Sequence, residues 1–184
     1  MKVISVIASP RKSGNCSSIV KRITEGLKDN NHSNSIYYID EMNISPCQGC
    51  KSCKPLEGRA PSKCIINDDF LKVISELEKS DALIFAAPNY FSEINAQGKI
   101  FMDRFYSMTK KVNKKLLGKK CIIIFTYGAP MGSCDKYIYK RSKIFESIGL
   151  DVIEIMSIGN NIPTSNHEKT EEVMDIAYNI GLNL

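Results

Sequence analysis

Four cysteines in the first half of the chain have a spacing that suits a metal centre. Cys47, Cys50 and Cys53 form a C-x2-C-x2-C run, and Cys64 follows after ten further residues. Side chains at this spacing can converge, because a backbone that curls around a metal points every third side chain inward. Four thiolates complete a [4Fe–4S] cluster, and they also suit a closed tetrahedral zinc site. The residues therefore leave three interpretations open: an iron–sulfur cluster, a zinc ion and no metal.

A polar turn near the amino terminus has the residue types that bind a phosphate group. It follows an apolar run that predicts a strand over Lys2–Ala8 and precedes an amphipathic pattern that predicts a helix over residues 15–29. The first turn of such a helix presents unpaired N–H groups and a partial positive charge to an anion. Hydroxyls, a guanidinium and a glycine that permits close backbone approach complete the predicted site. Its residues are Ser9, Arg11, Ser13, Gly14, Asn15, Cys16 and Ser17.

The turn lacks the loop motifs that bind other nucleotides. No G-x-x-x-x-G-K-[ST] sequence is present, which argues against an ATP or GTP site, and no G-x-G-x-x-G sequence is present, which argues against an ordinary dinucleotide site. A loop of hydroxyls and amides without a metal-holding Lys–Ser/Thr pair suits a monophosphate nucleotide such as FMN. The alternative is a Ser/Gly turn that only caps the helix.

Two aromatic residues follow another predicted strand, Ala82–Ala87. Ligands of open α/β sheets bind beyond the carboxyl ends of the strands, where the strand order reverses. In the order 2-1-3-4-5 this point lies between strands one and three, so both turns would face one crevice. Tyr90 and Phe91 offer flat apolar surface to a ring system, unless they are core or interface aromatics. The residues expected around the ring are Pro88, Asn89, Tyr90, Phe91 and Ser92, with Thr126 and Gly128 from the loop after the fourth strand.

The chain as a whole alternates short strand-like runs with longer helical ones. This alternation favours an α/β fold, with a five-stranded parallel sheet in the order 2-1-3-4-5 and helices on both faces. We expect a single domain over residues 1–184, with a cysteine-bearing loop at 43–67. The remaining predicted strands are Ser35–Ile39, Lys120–Thr126 and Val152–Ser157, and the remaining predicted helices cover residues 68–79, 95–106, 134–148 and 167–180.

Composition limits the classes of partner and compartment. The net charge is +5, from 25 Lys and Arg against 20 Asp and Glu, which is mild for a nucleic-acid-binding protein. No apolar run has the length of a membrane span or of an export signal. We therefore expect a cytoplasmic protein that binds neither nucleic acid nor membrane. In that compartment the seven cysteines are ligands or core thiols and not a disulfide framework.

Three segments together carry a family resemblance. "ASPRKSGNCSS" resembles the SPR-x-x-GNT-S turn of the NADPH-dependent FMN reductase family, and "APNYFSEINAQGKIFMDRF" resembles that family's segment ending in DR-F. "CQGCKSC", followed by "CIINDD", resembles the branch that includes the iron–sulfur flavoproteins. The chain departs from the pattern at Cys16, where the family has Thr, and at Ser92, where it has Gly. A thiol is a poorer donor than a hydroxyl.

The resemblance implies a flavodoxin-like fold, non-covalent FMN and a homodimer or homotetramer. It implies phosphate contacts from Ser9, Arg11, Asn15, Cys16 and Ser17, and ring contacts from Pro88, Asn89, Tyr90 and Phe91. The expected function is an FMN-dependent oxidoreductase that takes electrons from NAD(P)H or ferredoxin and reduces a small acceptor, with electrons passing through flavin and a [4Fe–4S] cluster if one is bound. Because the flavin performs the chemistry, we assign no catalytic side chain. The alternative is a non-catalytic, flavodoxin-like electron carrier.

Overall fold

The computed structural model describes residues 1–55, 63–109, 114–160 and 167–184, with the backbone alone for residues 167–169. Part of the predicted cysteine loop, residues 56–62, thus lies outside the described residues. The described strands are β1 (Lys2–Ile7), β2 (Ser33–Tyr38), β3 (Ala82–Tyr90), β4 (Glu93–Ile94), β5 (Lys120–Thr126) and β6 (Asp151–Ile158). The described helices are α1 (Asn15–Asp29), α2 (Asp69–Glu78), α3 (Ala96–Arg104), α4 (Asp135–Ser147) and α5 (His167–Asn183).

The sheet order confirms the predicted topology. Five parallel strands lie in the order β2-β1-β3-β5-β6, and the two-residue β4 pairs antiparallel with the end of β3. Without β4 this is the predicted order 2-1-3-4-5. The three central strands are apolar runs and are buried along nearly their whole length, as strands covered on both faces must be.

Helices cover both faces of the sheet. On one face, phenylalanines from α2, from α3 and the turn after it, and from α4 form edge-to-face contacts, such as Phe70–Phe101 at 5.3 Å and Phe105–Phe145 at 5.5 Å between ring centroids. On the other face, α1 and α5 bury Ile19, Ile23 and Ala177 against the sheet. None of the helices in the described ranges is both long and apolar enough to cross a membrane.

The predicted elements occur at their expected positions, and one boundary differs in a way that matters for the site. The third predicted strand ended at Ala87, whereas β3 continues to Tyr90 and folds back as β4. The aromatic turn is therefore a hairpin held by sheet hydrogen bonds and not a loop after the strand. The prediction missed it because Pro88 and Asn89 read as strand-breaking residues.

Helices α1 and α5 approach so closely that their backbones touch. A Cβ atom at Gly26 would lie 2.1 Å from the carbonyl oxygen of Tyr178, and one at Gly181 would lie 2.1 Å from the carbonyl oxygen of Ile23. Both distances are far below van der Waals contact, so glycine is required at both positions.

We expect Gly181→Ala to lower the free energy of unfolding by about 2–3 kcal/mol, because overpacking forces two backbones apart. Alanine's better helix propensity, about 1 kcal/mol, is too small to offset this. Urea unfolding followed by circular dichroism measures the change. Asn179→Ala, at an exposed position of the same helix, is the control and should shift stability by less than about 0.5 kcal/mol. Equal effects of the two substitutions would contradict the close contact.

Candidate functional site

Three loops meet at the carboxyl edge of the central strands. The N–H of Ala8, directly after β1, donates to the carbonyl of Ala86 in β3 at 2.8 Å, and Pro88 in β3 pairs in register with Thr126 at the end of β5. Asn95, which precedes α3, donates from Nδ2 to the carbonyl of Ala8 at 2.7 Å. The turn after β1, the β3–β4 hairpin and the loop after β5 therefore share one edge, as the sheet order predicted.

The polar turn after β1 is fixed by hydrogen bonds to one carbonyl. The carbonyl oxygen of Arg11 accepts from the N–H of Gly14 at 3.1 Å and from Oγ of Ser17 at 3.0 Å. Oγ of Ser9 accepts from the N–H of Arg11 at 3.2 Å. Because the hydroxyl proton of Ser17 is used inside the turn, Ser17 can offer a ligand its backbone N–H. The side chains of Arg11 and Ser13 are exposed to solvent.

The amino terminus of α1 has open backbone donors. Its N-cap residue is Gly14, no side chain caps it, and no acidic residue lies in its first turn. In contrast, the carboxylate of Asp68 caps α2 by accepting from the N–H of Phe70. A Cβ at residue 14 would lie 3.1 Å from Cβ of Arg11, so glycine keeps the turn tight against the helix. An uncapped first turn with a positive dipole end and a nearby guanidinium fits a phosphate group.

Cys16 does not direct its thiol towards this anion site. The side chain is buried, and its Sγ lies 3.3 Å from Oγ1 of Thr126. Burial raises the pKa of the Cys16 thiol to about 11, and the contact with Thr126 offsets only part of that rise. The thiol is therefore neutral and links the first helix to the end of β5, which leaves the backbone N–H of Cys16 as its available donor.

The β3–β4 hairpin presents its aromatic residues to solvent. Tyr90 is 41% exposed and Phe91 is fully exposed, which excludes the interpretation of both as core residues. The two turn residues, Phe91 and Ser92, have φ of 50° and 67°, the left-handed conformation of a two-residue type I′ turn. Oδ1 of Asn89 accepts from the N–H of Ser92 at 3.0 Å and holds this turn closed. Such conformations cost energy in residues with a Cβ and persist where the surroundings enforce them.

Helix α4 braces the hairpin through residues that the sequence analysis did not identify. The hydroxyl of Tyr137 accepts from the N–H of Ile94 at 2.8 Å and donates to the carboxylate of Glu93. Arg141 lies one turn further along and pairs with Glu93 at 3.1 Å. The hydrogen bond from Tyr137 holds the pKa of Glu93 below its usual value; desolvation opposes this effect, and the charge of Arg141 adds to it. Tyr137 and Arg141 lie four residues apart, which places them on one helix face, but this spacing does not indicate which residue they contact.

The third loop is held at both ends. The N–H of Tyr127 donates to the carbonyl of Ile158 at 2.9 Å, and the hydroxyl of Tyr127 accepts from the N–H of Gly132 at 2.9 Å. Thr126 is buried beneath this loop, whereas Gly128 is exposed at the crevice. The loop is therefore preformed where the sequence analysis expected contacts to the ring.

The four cysteines of the C-x2-C-x2-C…C pattern come together elsewhere. Cys47, Cys50, Cys53 and Cys64 all line one small cavity. No group of three or more His, Cys, Asp or Glu in the described ranges is arranged to hold a metal ion, so it is the type and number of the donors, four thiols on one cavity, that fit a cluster. Burial raises the pKa of Cys53, and the charge of Lys54 partly offsets this rise. The cavity also contains Arg104, to which the sequence analysis gave no role.

Both flanks of the cysteine loop are held by Arg104. Its Nη1 donates to the carbonyl of Ser45 at 2.9 Å, before the first cysteine, and its Nη2 donates to the carbonyl of Ile66 at 3.2 Å, after the last one. Lys54, next to Cys53, donates from Nζ to Oγ1 of Thr109 at 3.1 Å and to the carbonyl oxygen of Tyr106. These bonds attach the loop to the end of α3, so the cavity has a fixed position.

Comparison with known proteins identifies relatives of this arrangement. The model of the NADPH-dependent FMN reductase family matches residues 1–164. An iron–sulfur flavoprotein of Methanocaldococcus jannaschii is 26% identical over 170 residues, covering 92% of this chain and 82% of the relative. An NAD(P)H:quinone oxidoreductase from Methanothermobacter marburgensis has a similar structure, with a TM-score of 0.76 at 19% identity, covering 100% and 95% of the two chains. A flavodoxin from the domain Archaea gives 0.60 at 14% identity over 100% and 95%. These structural likenesses establish the flavodoxin-like fold.

The strained hairpin gives a stability test. We expect Ser92→Gly to raise the free energy of unfolding by roughly 0.5–1 kcal/mol, because glycine adopts a positive φ without the left-handed penalty of about 1–2 kcal/mol. The greater entropy of unfolded glycine offsets part of this gain. Ser33→Gly, at an exposed position of β2, is the control and should destabilise. Urea unfolding measures both, and a Ser92→Gly protein weakened as much as the control would contradict strain at the turn.

Proposed function

Since the chain belongs to the NADPH-dependent FMN reductase family and is an FMN-dependent oxidoreductase, we propose that it binds FMN at the carboxyl edge of β1, β3 and β5. The observation that carries this proposal is the uncapped amino terminus of α1, which opens onto the same edge as the two other loops. When bound, FMN supplies the redox chemistry at its ring, and the protein supplies binding and orientation.

The phosphate of FMN would lie on the first turn of α1. We assign its contacts to the backbone N–H groups of Asn15, Cys16 and Ser17, because these donors have no side-chain cap. The guanidinium of Arg11 adds a charge-assisted bond, and Ser9 and Ser13 add hydroxyls. Oδ1 of Asn95, buried beside Ala8, has no hydrogen-bond partner among the described residues. Because it is an acceptor, it suits a ribityl hydroxyl of FMN and not the phosphate.

The ring of FMN would lie between the hairpin and the third loop. We assign its contacts to Pro88, Asn89, Tyr90, Phe91 and Ser92 on one side and to Thr126 and Gly128 on the other. The exposure of Tyr90 and Phe91 supports this assignment, because exposed aromatic surface at a crevice suits a flat ligand. Full exposure of Phe91 also suits a contact between two copies of the chain, in the homodimer or homotetramer that we propose. Analytical ultracentrifugation measures that state.

NAD(P)H is the electron donor of the family, and we propose a small acceptor such as a quinone, a nitro compound or free flavin. Steady-state oxidation of NAD(P)H by the purified protein with each acceptor tests this. A protein that binds FMN and oxidises no NAD(P)H would instead be an electron carrier, with ferredoxin as a partner to test.

We further propose that Cys47, Cys50, Cys53 and Cys64 hold a [4Fe–4S] cluster. Three observations support it: the four thiols line one cavity, Arg104 and Lys51 line the same cavity as cations, and relatives of the chain are named iron–sulfur flavoproteins. Soft thiolates with nearby cations suit a cluster of net negative charge. A bound cluster would exchange single electrons, whereas NAD(P)H delivers electrons in pairs.

The phosphate assignment predicts that Arg11→Ala weakens FMN binding by roughly 1.5–3 kcal/mol, the typical loss of a hydrogen bond to a charged group. This corresponds to roughly a 10- to 150-fold rise in Kd. Quenching of flavin fluorescence on titration of the flavin-free protein measures it. Lys12→Ala is the matched control, since Lys12 already pairs with Glu41 at 2.5 Å and should have a smaller effect.

Riboflavin, which lacks the phosphate, provides a second control. Its affinity should be the same for the original protein and the Arg11→Ala protein. Unchanged FMN affinity would remove Arg11 from the site, and an equal loss for both flavins would show that Arg11 acts on the ring side.

The cluster proposal predicts that Cys50→Ser loses iron and sulfide and keeps FMN. Anaerobically purified protein is analysed for iron, sulfide, zinc and flavin, together with its absorption spectrum. Cys134→Ser, outside the cavity, is the control and should keep its iron. Iron retained by the Cys50→Ser protein refutes the ligand assignment. Zinc without sulfide in the original protein indicates a zinc site, and absence of both metals indicates no metal.

A further inference from the structure

We propose that Arg104 donates a hydrogen bond from its Nε to a sulfur of the cluster and thereby raises the reduction potential of that cluster. This inference rests on the cluster proposed above. It concerns a residue that lines the cysteine cavity from the end of α3.

Arg104 has one more N–H donor than its protein partners use. A guanidinium has five N–H donors in a fixed fork. Nη1 donates to the carbonyl of Ser45 at 2.9 Å and to Oδ2 of Asp68 at 2.6 Å, and Nη2 donates to the carbonyl of Ile66 at 3.2 Å and to Oδ1 of Asp68 at 3.1 Å. These four bonds use the four N–H groups of the two Nη atoms. The N–H of Nε is the fifth donor.

This fifth donor, the N–H of Nε, is buried and has no partner among the described residues. The side chain of Arg104 has no exposed surface, and its Nε has no hydrogen-bond partner in the part of the chain that the structure describes. Leaving a buried donor of a charged group unpaired is costly. In native proteins such a donor is usually satisfied by an ordered water, an ion or a ligand, or serves a redox or catalytic role.

The side chain of Arg104 lies next to the proposed cluster ligands. Arg104 lines the same cavity as the four cysteines. Gln48 and Ser107 line it too, so the side-chain acceptors that the cavity contributes are the four cysteine sulfurs and the side-chain oxygens of these two residues. The sulfurs are the most numerous of them.

The guanidinium of Arg104 is held in one orientation. Asp68 and the two carbonyls fix the plane of the guanidinium, and its Cζ lies 4.6 Å from the centroid of the Phe70 ring. A hydrogen bond from a fixed donor stabilises the more negative, reduced form of a cluster and raises its potential. Because Asp68 pairs with the guanidinium, most of the net charge is neutralised locally. The effect of Arg104 on the cluster then comes mainly from the directed N–H bond and not from its charge. Lysine lacks the fixed planar fork of arginine, so the two residues should not be equivalent here.

The test compares Arg104→Lys, Arg104→Gln and Asp68→Asn with the original full-length protein under anaerobic conditions. Iron and sulfide per chain are measured first, and the potential of the cluster is then measured by a titration with dithionite monitored by electron paramagnetic resonance, in which the cluster takes up one electron. We expect both Arg104 variants to change the ratio of reduced to oxidised cluster about tenfold, which for one electron is a fall of about 59 mV. We expect Asp68→Asn, which removes a negative charge, to raise the potential.

The outcomes separate the two proposals. An iron-free original protein overturns the cluster and this inference together. A loaded Arg104→Lys protein with the original potential overturns this inference alone, because charge without the Nε donor would then suffice. A potential that falls equally in Asp68→Asn also overturns it, because loosening of the loop would then explain the shift.

A measurement on the original arginine covers the case in which the Arg104 variants fail to fold or to load. The protein is labelled with ¹⁵N-arginine and carries Arg59→Lys, since Arg59 lies between Cys53 and Cys64 in the sequence. Pulsed paramagnetic resonance of the reduced cluster should then detect a coupled arginine nitrogen. A loaded cluster without such a coupling overturns the hydrogen bond.

Discussion

The constraint on which the proposed flavin site depends is that β1, β3 and β5 are parallel and buried on both faces. Parallel strands that are buried in this way end at one edge, so the segments that follow them must meet there. The hydrogen bond from Ala8 to Ala86 and the pairing of Pro88 with Thr126 fix the register of β1, β3 and β5, and therefore where each strand ends relative to the others. The loops then need little structure of their own, because their starting points are already in contact.

The sequence predicted the parts of the molecule that follow from periodicity and local chemistry. Continuous apolar runs identified the buried strands, and the cap of α2 was predicted to be Asp68 or Asp69, since a carboxylate before an apolar helix is a strong cap signal. Asp68 is the N-cap, and α2 begins at Asp69. The hairpin was missed because Pro88 and Asn89 are unfavourable in strands and are held there by tertiary pairing. The brace from Tyr137 and Arg141 was missed because it joins residues more than forty positions apart. Their contact depends on the packing of α4, which no local pattern specifies.

The inward direction of Cys16 was likewise beyond the sequence pattern. Its position in the phosphate turn suggested a donor in place of the threonine of the family. The fold instead places the thiol on Thr126 and leaves the backbone to face the crevice. A substitution that was expected to weaken the anion site thus changes a buried contact, because the proposed anion site consists mainly of backbone N–H groups, which any residue in the first turn of α1 supplies.

Helix α3 joins the two sites and sets their separation. Asn95, just before the helix, is hydrogen-bonded to Ala8 at the carboxyl edge of the sheet, and Arg104, the last residue of the helix, holds the cysteine loop. Nine helical residues rise about 13 Å, and Phe101 in the middle is fully buried in the core. The distance between the sites is therefore fixed by a packed helix with buried polar groups at both ends.

The two sites differ in what forms them. The carboxyl edge of the sheet forms whenever the sheet and α1 form, since the donors assigned there are backbone groups. The cysteine cavity depends on side chains: Arg104 ties Ser45 and Ile66 to the core through Asp68, and Lys54 bonds Thr109. A buried ion pair often contributes little net stability, because desolvation of both charges offsets their attraction. The Arg104–Asp68 pair is therefore better explained by its role in positioning the cysteine loop than by a contribution to stability. It determines where a loop without regular structure lies, at the end of the helix that begins near the carboxyl edge of the sheet.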